Sequence, residues 1–502
     1  PLGIHVHEQM QGDAVEREQI QGARERASMT TYGFSLGGPI IKNKLFFFAN
    51  AEIVKQPTVV NRWQASDKGA YDADNYLSRT SIQDMQAVSQ YVKDKYGYDT
   101  GSFTDWSKDN DTKKFLVRLD WNITDKHHLA LRYNYTKGRT WKVPSTSVDG
   151  GTLPYSRLSL YSMSYANSLY AQDNIVKTFS LDLNSRLTNS LSNQFLATYS
   201  MIDDVRDTDS APFPFIDILD GDGGNYISLG TELFTHNNAV HNNILNIKDD
   251  VTYYLGKHKI MVGVSFEHQM AENMYMRNGT GYYRYNSIDE FFNGGTPSVV
   301  CLTYGYNGVN DPSSMVKFNQ IGFYAQDEWN VRDNLKLTYG LRFDGLFFND
   351  DDLMTNNGIL NLDYNGRSVD TGKWPKGTVT LSPRLGFTWD VFGDKSLKVR
   401  GGTGFFLGRL PLVFFTNMPT NANMFQLVGK WNATGSSGTK TDMSQFAGGM
   451  KVDENGYPSI EALKNYVIES GLGPNSITPE EGTVAGDVNG IAHDFKMPQV
   501  WK

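Results

Sequence analysis

Period-two alternation, held over segments of about ten residues, constrains this chain more than any other feature of its sequence. In KFLVRLDWNIT, Phe115, Val117, Leu119 and Trp121 share one face, while Arg118, Asp120 and Asn122 share the other. HHLALRYNY sets Leu129, Leu131, Tyr133 and Tyr135 against Ala130, Arg132 and Asn134, and TFSLDLNSRLT sets Phe179, Leu181 and Leu183 against Ser180, Asp182, Asn184 and Arg186. KIMVGVSFEH and LKLTYGLRFD repeat the pattern. Side chains alternate across a strand, so these segments are strands with one apolar and one polar face. Soluble strands usually stop after about five or six residues, whereas a tilted strand crossing a bilayer needs about ten.

The connections sort themselves by length. Short ones fall near 42–43, 124–126, 188–190, 256–257, 332–334 and 393–395; long ones cover 59–110, 140–173, 207–240, 271–316, 345–378 and 411–495. Short turns at one end and long loops at the other are the pattern of an outer-membrane barrel with its turns in the periplasm. The fold class is therefore all-β, a transmembrane antiparallel β-barrel with long extracellular loops. Three short turns follow a tryptophan on the apolar face: Trp121, Trp329 and Trp389. Amphipathic indoles collect where hydrocarbon meets headgroups, so these three read as a membrane-interface girdle; buried tryptophans at strand ends are the other reading.

Composition agrees. Tyrosines and phenylalanines number 27 and 28, yet only 39% of residues are hydrophobic, which suits alternation and not long apolar runs. No run approaches the length of a membrane-spanning helix. A net charge of −8 without a Lys/Arg cluster argues against a nucleic-acid partner. The single cysteine, Cys301, excludes an intrachain disulfide or thiolate metal cluster. No catalytic constellation stands out, and an enzyme is not expected.

YGFSLGGPIIKNKLFFFANAE (32–52) resembles the hairpin that opens the barrel in Oar-like TonB-dependent transporters, large outer-membrane receptors typical of Bacteroidetes. FYAQDEWNVRDNLKLTYGLRFD (323–344) is similar to a mid-barrel hairpin of TonB-dependent receptors generally; SPRLGFTWDVFGDKSLKVRGGTGFF (382–406) and DFKMPQV (494–500) again resemble the Oar-like branch. The resemblance implies a 22-stranded barrel around an N-terminal plug, energised through a TonB box and lying in a Gram-negative outer membrane. It implies outer-membrane lipid, the plug, the remaining strands, the TonB complex and a surface lipoprotein as partners. The plug, the TonB box and about half the strands are not in this sequence, so it reads as an internal barrel segment. Residues 1–28 read as a polar loop leading into the barrel, 29–410 as about twelve strands with long loops. Residues 411–495 read as a long loop with a short helix at SIEALKNYVIESG, and 496–502 as the start of the next strand. Function then reads as import of an extracellular peptide, glycan or metal chelate, with surface adhesion or a passive porin as alternatives.

Candidate residues follow from position. Arg118, Arg132, Arg186, Glu267, Glu328, Arg342 and Arg384 lie on polar faces and read as lumen wall and plug-docking residues. Tyr275, Tyr282, Tyr283, Tyr285, Phe291 and Phe292 crowd one long loop, where they either stack on a ligand or pack among themselves. Asp220, Asp222 and Asn225 in DGDGGN are spaced as oxygen ligands for a structural calcium, or form a plain acidic turn. His5, His7 and Glu8, and the pair His127–His128, carry metal-ligating chemistry at a loop and a turn.

Overall fold

The computed structural model describes residues 3–11, 27–409, 412–484 and 488–502, with side chains from 28 onward. Among them, fourteen strands form one sheet in chain order, each antiparallel to the next. They are β1 (Gly3–Gln11), β2 (Ala27–Ile41), β3 (Leu45–Lys55), β4 (Thr112–Thr124), β5 (His127–Lys142), β6 (Tyr170–Arg186) and β7 (Leu191–Asp207). The sheet continues through β8 (Asn238–Leu255), β9 (His258–Tyr275), β10 (Ser313–Arg332), β11 (Leu335–Asn349), β12 (Thr378–Asp390), β13 (Lys398–Leu407) and β14 (Gln499–Trp501). Strands of up to 20 residues exceed any soluble norm. Among the described residues β1 and β14 do not pair with each other, so the sheet is an open wall.

β1 corrects the expected N-terminal loop. GIHVHEQMQ pairs with β2 from Gly3 opposite Ser35 to Gln11 opposite Ala27, so the backbone ladder extends where the polar, weakly alternating sequence argued for none.

Register fixes what each face shows. Phe179 sits opposite Tyr133 on one side and Tyr199 on the other, and Phe323 opposite Val264 and Phe343. This face is apolar and uncovered: Val262 is 55% exposed, Phe323 59% and Leu385 56%. An apolar face of this extent belongs in hydrocarbon, not water. The alternate positions carry the charged face.

Most of the buried core is not in the wall, although Ala271, Val316, Phe318 and Leu346 of β9, β10 and β11 pack against Trp374, Phe415 and Met418. The larger part lies among the long connections, which fold into a layer beyond the strand ends. Among the described residues a six-stranded sheet runs Asn225–Leu229, Phe215–Leu219, Tyr282–Tyr285, Val299–Gly305, Gln426–Asn432 and Thr439–Lys440, drawn from three separate connections. Against it pack the helices Ile82–Tyr96, through Met85, Val88 and Val92, and Ile460–Glu469, through Leu463 and Val467. The first is closed by a Ser81 cap accepting from the Asp84 amide and by Gly97 in the left-handed region at φ 70°. Aromatic-rich loops thus pay their ordering entropy with a hydrophobic core of their own.

Candidate functional site

Buried charge ties the loop layer together. Asp217, fully buried, accepts from Arg157 Nε at 2.9 Å and Nη2 at 2.7 Å, from Ser228 Oγ at 2.6 Å and from Tyr282 Oη at 2.8 Å. Arg157 also donates to the Ser145 and Ser147 carbonyls, so three connections meet at one ion pair. Asp149 does the same for Arg277 at 2.8 Å and Lys430 at 2.9 Å. Burial alone would raise the Asp217 pKa, but the guanidinium and hydroxyl donors outweigh it and hold the group below the ordinary carboxylate range.

At the outer strand ends lies an open pocket of about 770 Å³, rimmed by the exposed Val59, Val143 and Tyr275. Trp141, Lys142, Tyr170, Arg206, Phe234 and Tyr275 line it. The Arg206 guanidinium sits 4.3 Å from the Tyr170 ring centroid and 5.6 Å from that of Phe234, and pairs with buried Glu232 at 3.2 Å. Lys142 Nζ donates to Gln172 Oε1 at 2.6 Å. A guanidinium fixed by aromatic faces and one carboxylate keeps its remaining donors available to an oxygen-rich ligand, while the rings offer stacking area. Of the six loop aromatics singled out from sequence, only Tyr275 lines this cavity.

The others are corrected by burial. Tyr282, Tyr283, Tyr285 and Phe291 are each at most 2% exposed, with Phe291 packed edge-on against Tyr285 and Tyr91. Phe292 packs 4.8 Å from the Tyr91 ring. Tyr282, Tyr283, Tyr285 and Phe291 form core that holds the layer shut and present no face to a ligand, while Phe292 is half-buried against them. Arg206, Tyr170 and Phe234 were missed because no local motif marks them. Period two does place Arg206 and Tyr170 on the polar face, and that is the signal available.

The calcium reading of DGDGGN is also corrected. Asp220 pairs with Arg79 at 2.5 Å and accepts from the Asp222 and Gly224 amides at 2.9 Å. The Asn225 side chain is turned away, exchanging hydrogen bonds with the Tyr155 backbone. A cation would have to displace a guanidinium. Against the effect of its partial burial, Arg79 and the two amides hold the Asp220 carboxyl low. Among the described residues no three His, Cys, Asp or Glu side chains converge on a metal position. His127 meets Ser185 and His128 meets Asn122; the side chains of His5, His7 and Glu8 lie outside the described residues.

The polar-face charges separate into groups. Glu267, Arg342 and Arg384 surround a second cavity of about 540 Å³ on the inner wall. Arg342 is held there by Asp344 at 2.7 Å. Glu328 bridges Lys259 and Lys336 at 3.3 and 2.9 Å, and Arg118 pairs with Asp120 at 2.7 Å. Arg132 stands opposite Arg118, and Arg186 is exposed at the turn end of β6. Trp121, Trp329 and Trp389 lie at the turn ends of β4, β10 and β12 on the apolar face, Trp329 stacked on His258 at 5.4 Å.

The outer membrane beta barrel domain family matches residues 13–500. The chain belongs to that family. The barrel domain is similar to the outer membrane transporter YddB from Escherichia coli, with a TM-score of 0.50 at 13% identity over 81% of this chain and 42% of that one. It is also similar to the siderophore receptor PirA from Acinetobacter baumannii (TM-score 0.42, 13% identity, 88% and 48% of the two chains). The FrpB iron transporter from Neisseria meningitidis follows (TM-score 0.41, 12% identity, 76% and 46%). The barrel domain spans about half the length of these solved structures or less. No curated protein sequence matches it.

Acid is expected to loosen the loop layer of this barrel domain in two steps. Burial depresses the pKa of His236, so the unfolded chain binds its proton first and stability falls as pH drops below about 6.5. Asp217 and Asp220 have depressed folded values, so their contribution is complete above about 3.9 and is lost as pH falls through those lower values. Limited proteolysis of the full-length protein across pH 8 to 3 checks this; loops most resistant at pH 4 would refute it.

Proposed function

We propose that this chain forms wall and ligand-binding loops of a TonB-dependent importer of the Oar-like, Bacteroidetes type. Its ligand, a peptide, glycan or metal chelate, is taken up at the cavity around Arg206. The observation that carries the reading is that pocket: a fixed guanidinium and a lysine among four aromatic rings, beside a loop layer with its own core. A passive pore has no use for a pre-organised binding pocket, and an adhesin would present its contacts on the outer surface of the loops. The hairpins quoted above support the TonB-dependent assignment. On this reading a plug docks against Glu267, Arg342 and Arg384, further strands of the same protein close the wall, and a surface lipoprotein meets the loop layer. Trp121, Trp329 and Trp389 mark the inner headgroup level.

The test is growth of cells carrying the full-length protein on peptide, glycan or ferric chelate as the limiting nutrient. Loss of TonB should abolish growth on the true ligand. Arg206→Ala should cut its uptake by about tenfold, the equivalent of one charge-assisted hydrogen bond, without changing the amount of folded barrel. Uptake that persists without TonB would favour the porin. Cell attachment that persists without TonB, with no uptake, would favour the adhesin.

A further inference from the structure

Lysines crowd the outer edge of the membrane face on one side of the wall. Lys113 of β4 stands directly opposite Lys137 of β5, and Lys177 of β6 lies opposite Tyr135, one diagonal step from Lys137. Phe115 and Tyr135, two residues nearer the turns, have their rings 5.8 Å apart on the same face, so these lysines continue the lipid-facing rows. Side chains directly opposite sit about 5 Å apart at Cβ and diagonal ones about 7–8 Å, and like charges so placed repel. Lys137 pairs at 2.8 Å with Asp173, a carboxylate shared with Arg139 at 2.7 Å. The next acid on this face, Asp203, is taken by His241 at 2.8 Å. Lys113 is exposed and Lys177 half-buried, and neither completes an ion pair or hydrogen bond among the described residues.

Depth and shape go with this charge. Lys113 lies eight residues from Trp121 along β4, and Lys177 eight from Ser185 at the turn end of β6. At about 3.3 Å per residue and a tilt of about 45°, that is about 19 Å, close to the outer edge of an apolar band about 25 Å tall. Between those levels a groove of about 450 Å³ opens on the same face, rimmed by Val117, Tyr133, Phe179 and Tyr199. Ala197 keeps its floor low, standing in one row with Leu131 and Leu181. An apolar trough below accessible, uncompensated ammonium groups fits an acyl chain under an anionic headgroup. A phosphate monoester carries about two negative charges and three acceptor oxygens, enough to bridge opposed lysines, whereas a diester carries about one charge.

We propose that this face holds a glycolipid of the outer leaflet through a phosphate monoester on its sugar, monophosphoryl lipid A being the probe of that class. The phosphate accepts from Lys113, Lys137 and Lys177 and relieves their mutual repulsion, while one acyl chain lies over Ala197. The site is independent of what the protein imports, and it ties the outer ends of β4, β5 and β6 to the leaflet.

Native mass spectrometry tests it on the full-length protein, delipidated in detergent and titrated with monophosphoryl lipid A, its dephosphorylated form or phosphatidylglycerol. The parent should retain the phosphorylated glycolipid about tenfold more strongly than either of the others, the effect of one charge-assisted hydrogen bond. Lys113→Gln combined with Lys177→Gln should erase that preference. Ala197→Leu, which fills the trough and leaves the charges, should weaken retention of both glycolipids. Lys114→Gln, one residue away on the polar face, should change nothing. All are judged on protein whose barrel still migrates as folded without heating. Equal retention of the two glycolipids by the parent overturns the proposal, and phosphatidylglycerol held as strongly as the monoester means annular anionic lipid only and overturns it too. So does a folded double Gln variant that keeps the preference, an Ala197→Leu protein that binds as the parent does, or a Lys114→Gln protein that loses as much as the double variant.

Discussion

Asp217→Ala should open the loop layer while leaving the wall intact, at a cost of about 3–5 kcal/mol, the usual penalty for stranding a buried partner. Arg157 would keep its charge with its side chain 1% exposed and would lose both carboxylate bonds; Tyr282 and Ser228 would lose their acceptor. A surface pair such as Lys114–Glu52 would cost about 1 kcal/mol or less under the same change. Replacing both partners, Arg157→Met with Asp217→Leu, should recover part of the loss, because no charge is then buried alone. Recovery is incomplete because the Ser145 and Ser147 carbonyls lose their donor. Hydrogen exchange over 143–165 and 213–229 in the full-length protein reads the effect, with heat-resistant migration reporting the barrel. Protection unchanged in Asp217→Ala would refute the claim that this pair closes the layer.

The second large effect belongs to the membrane face. Val264 lies opposite Phe323, six residues beyond His258, itself paired with Trp329. At about 3.3 Å per residue and a tilt of about 45°, that is about 14 Å from the interface, near the midplane. Val264→Arg should therefore cost about 2–4 kcal/mol in a bilayer. Thr198→Arg, on the polar face of β7, should stay within about 0.5 kcal/mol, as for a solvated position. Urea unfolding in lipid vesicles measures both. Equal costs would mean that the two faces had been assigned wrongly.

Which parts of this were legible beforehand follows the range of the interactions involved. Alternation, turn residues and tryptophan placement are local, so the wall strands from Ala27 to Leu407, their faces and the sorting of short and long connections could be read from residues a few positions apart. Even the helix Ile82–Tyr96 leaves a local trace: a capping Ser81, Met85, Val88 and Val92 at helical spacing, then Gly97. β1 was not legible, because it pairs through backbone groups that any sequence carries. The aromatic loop was ambiguous for a related reason: Tyr282 as a ligand platform and Tyr282 as a core residue have the same sequence.

The site itself depended on distance in the chain. Arg206, Tyr170, Phe234 and Lys142 come from four connections or strand ends, and Asp217 and Arg157 are 60 residues apart. Their meeting depends on how three long connections share one sheet, and no periodicity encodes that. By itself the sequence determined which residues face lipid and which face the lumen, because a two-residue repeat is fixed by backbone geometry. Only the tertiary structure decided which loop aromatics are buried and which line a cavity, because burial is set by neighbours that arrive from elsewhere in the chain.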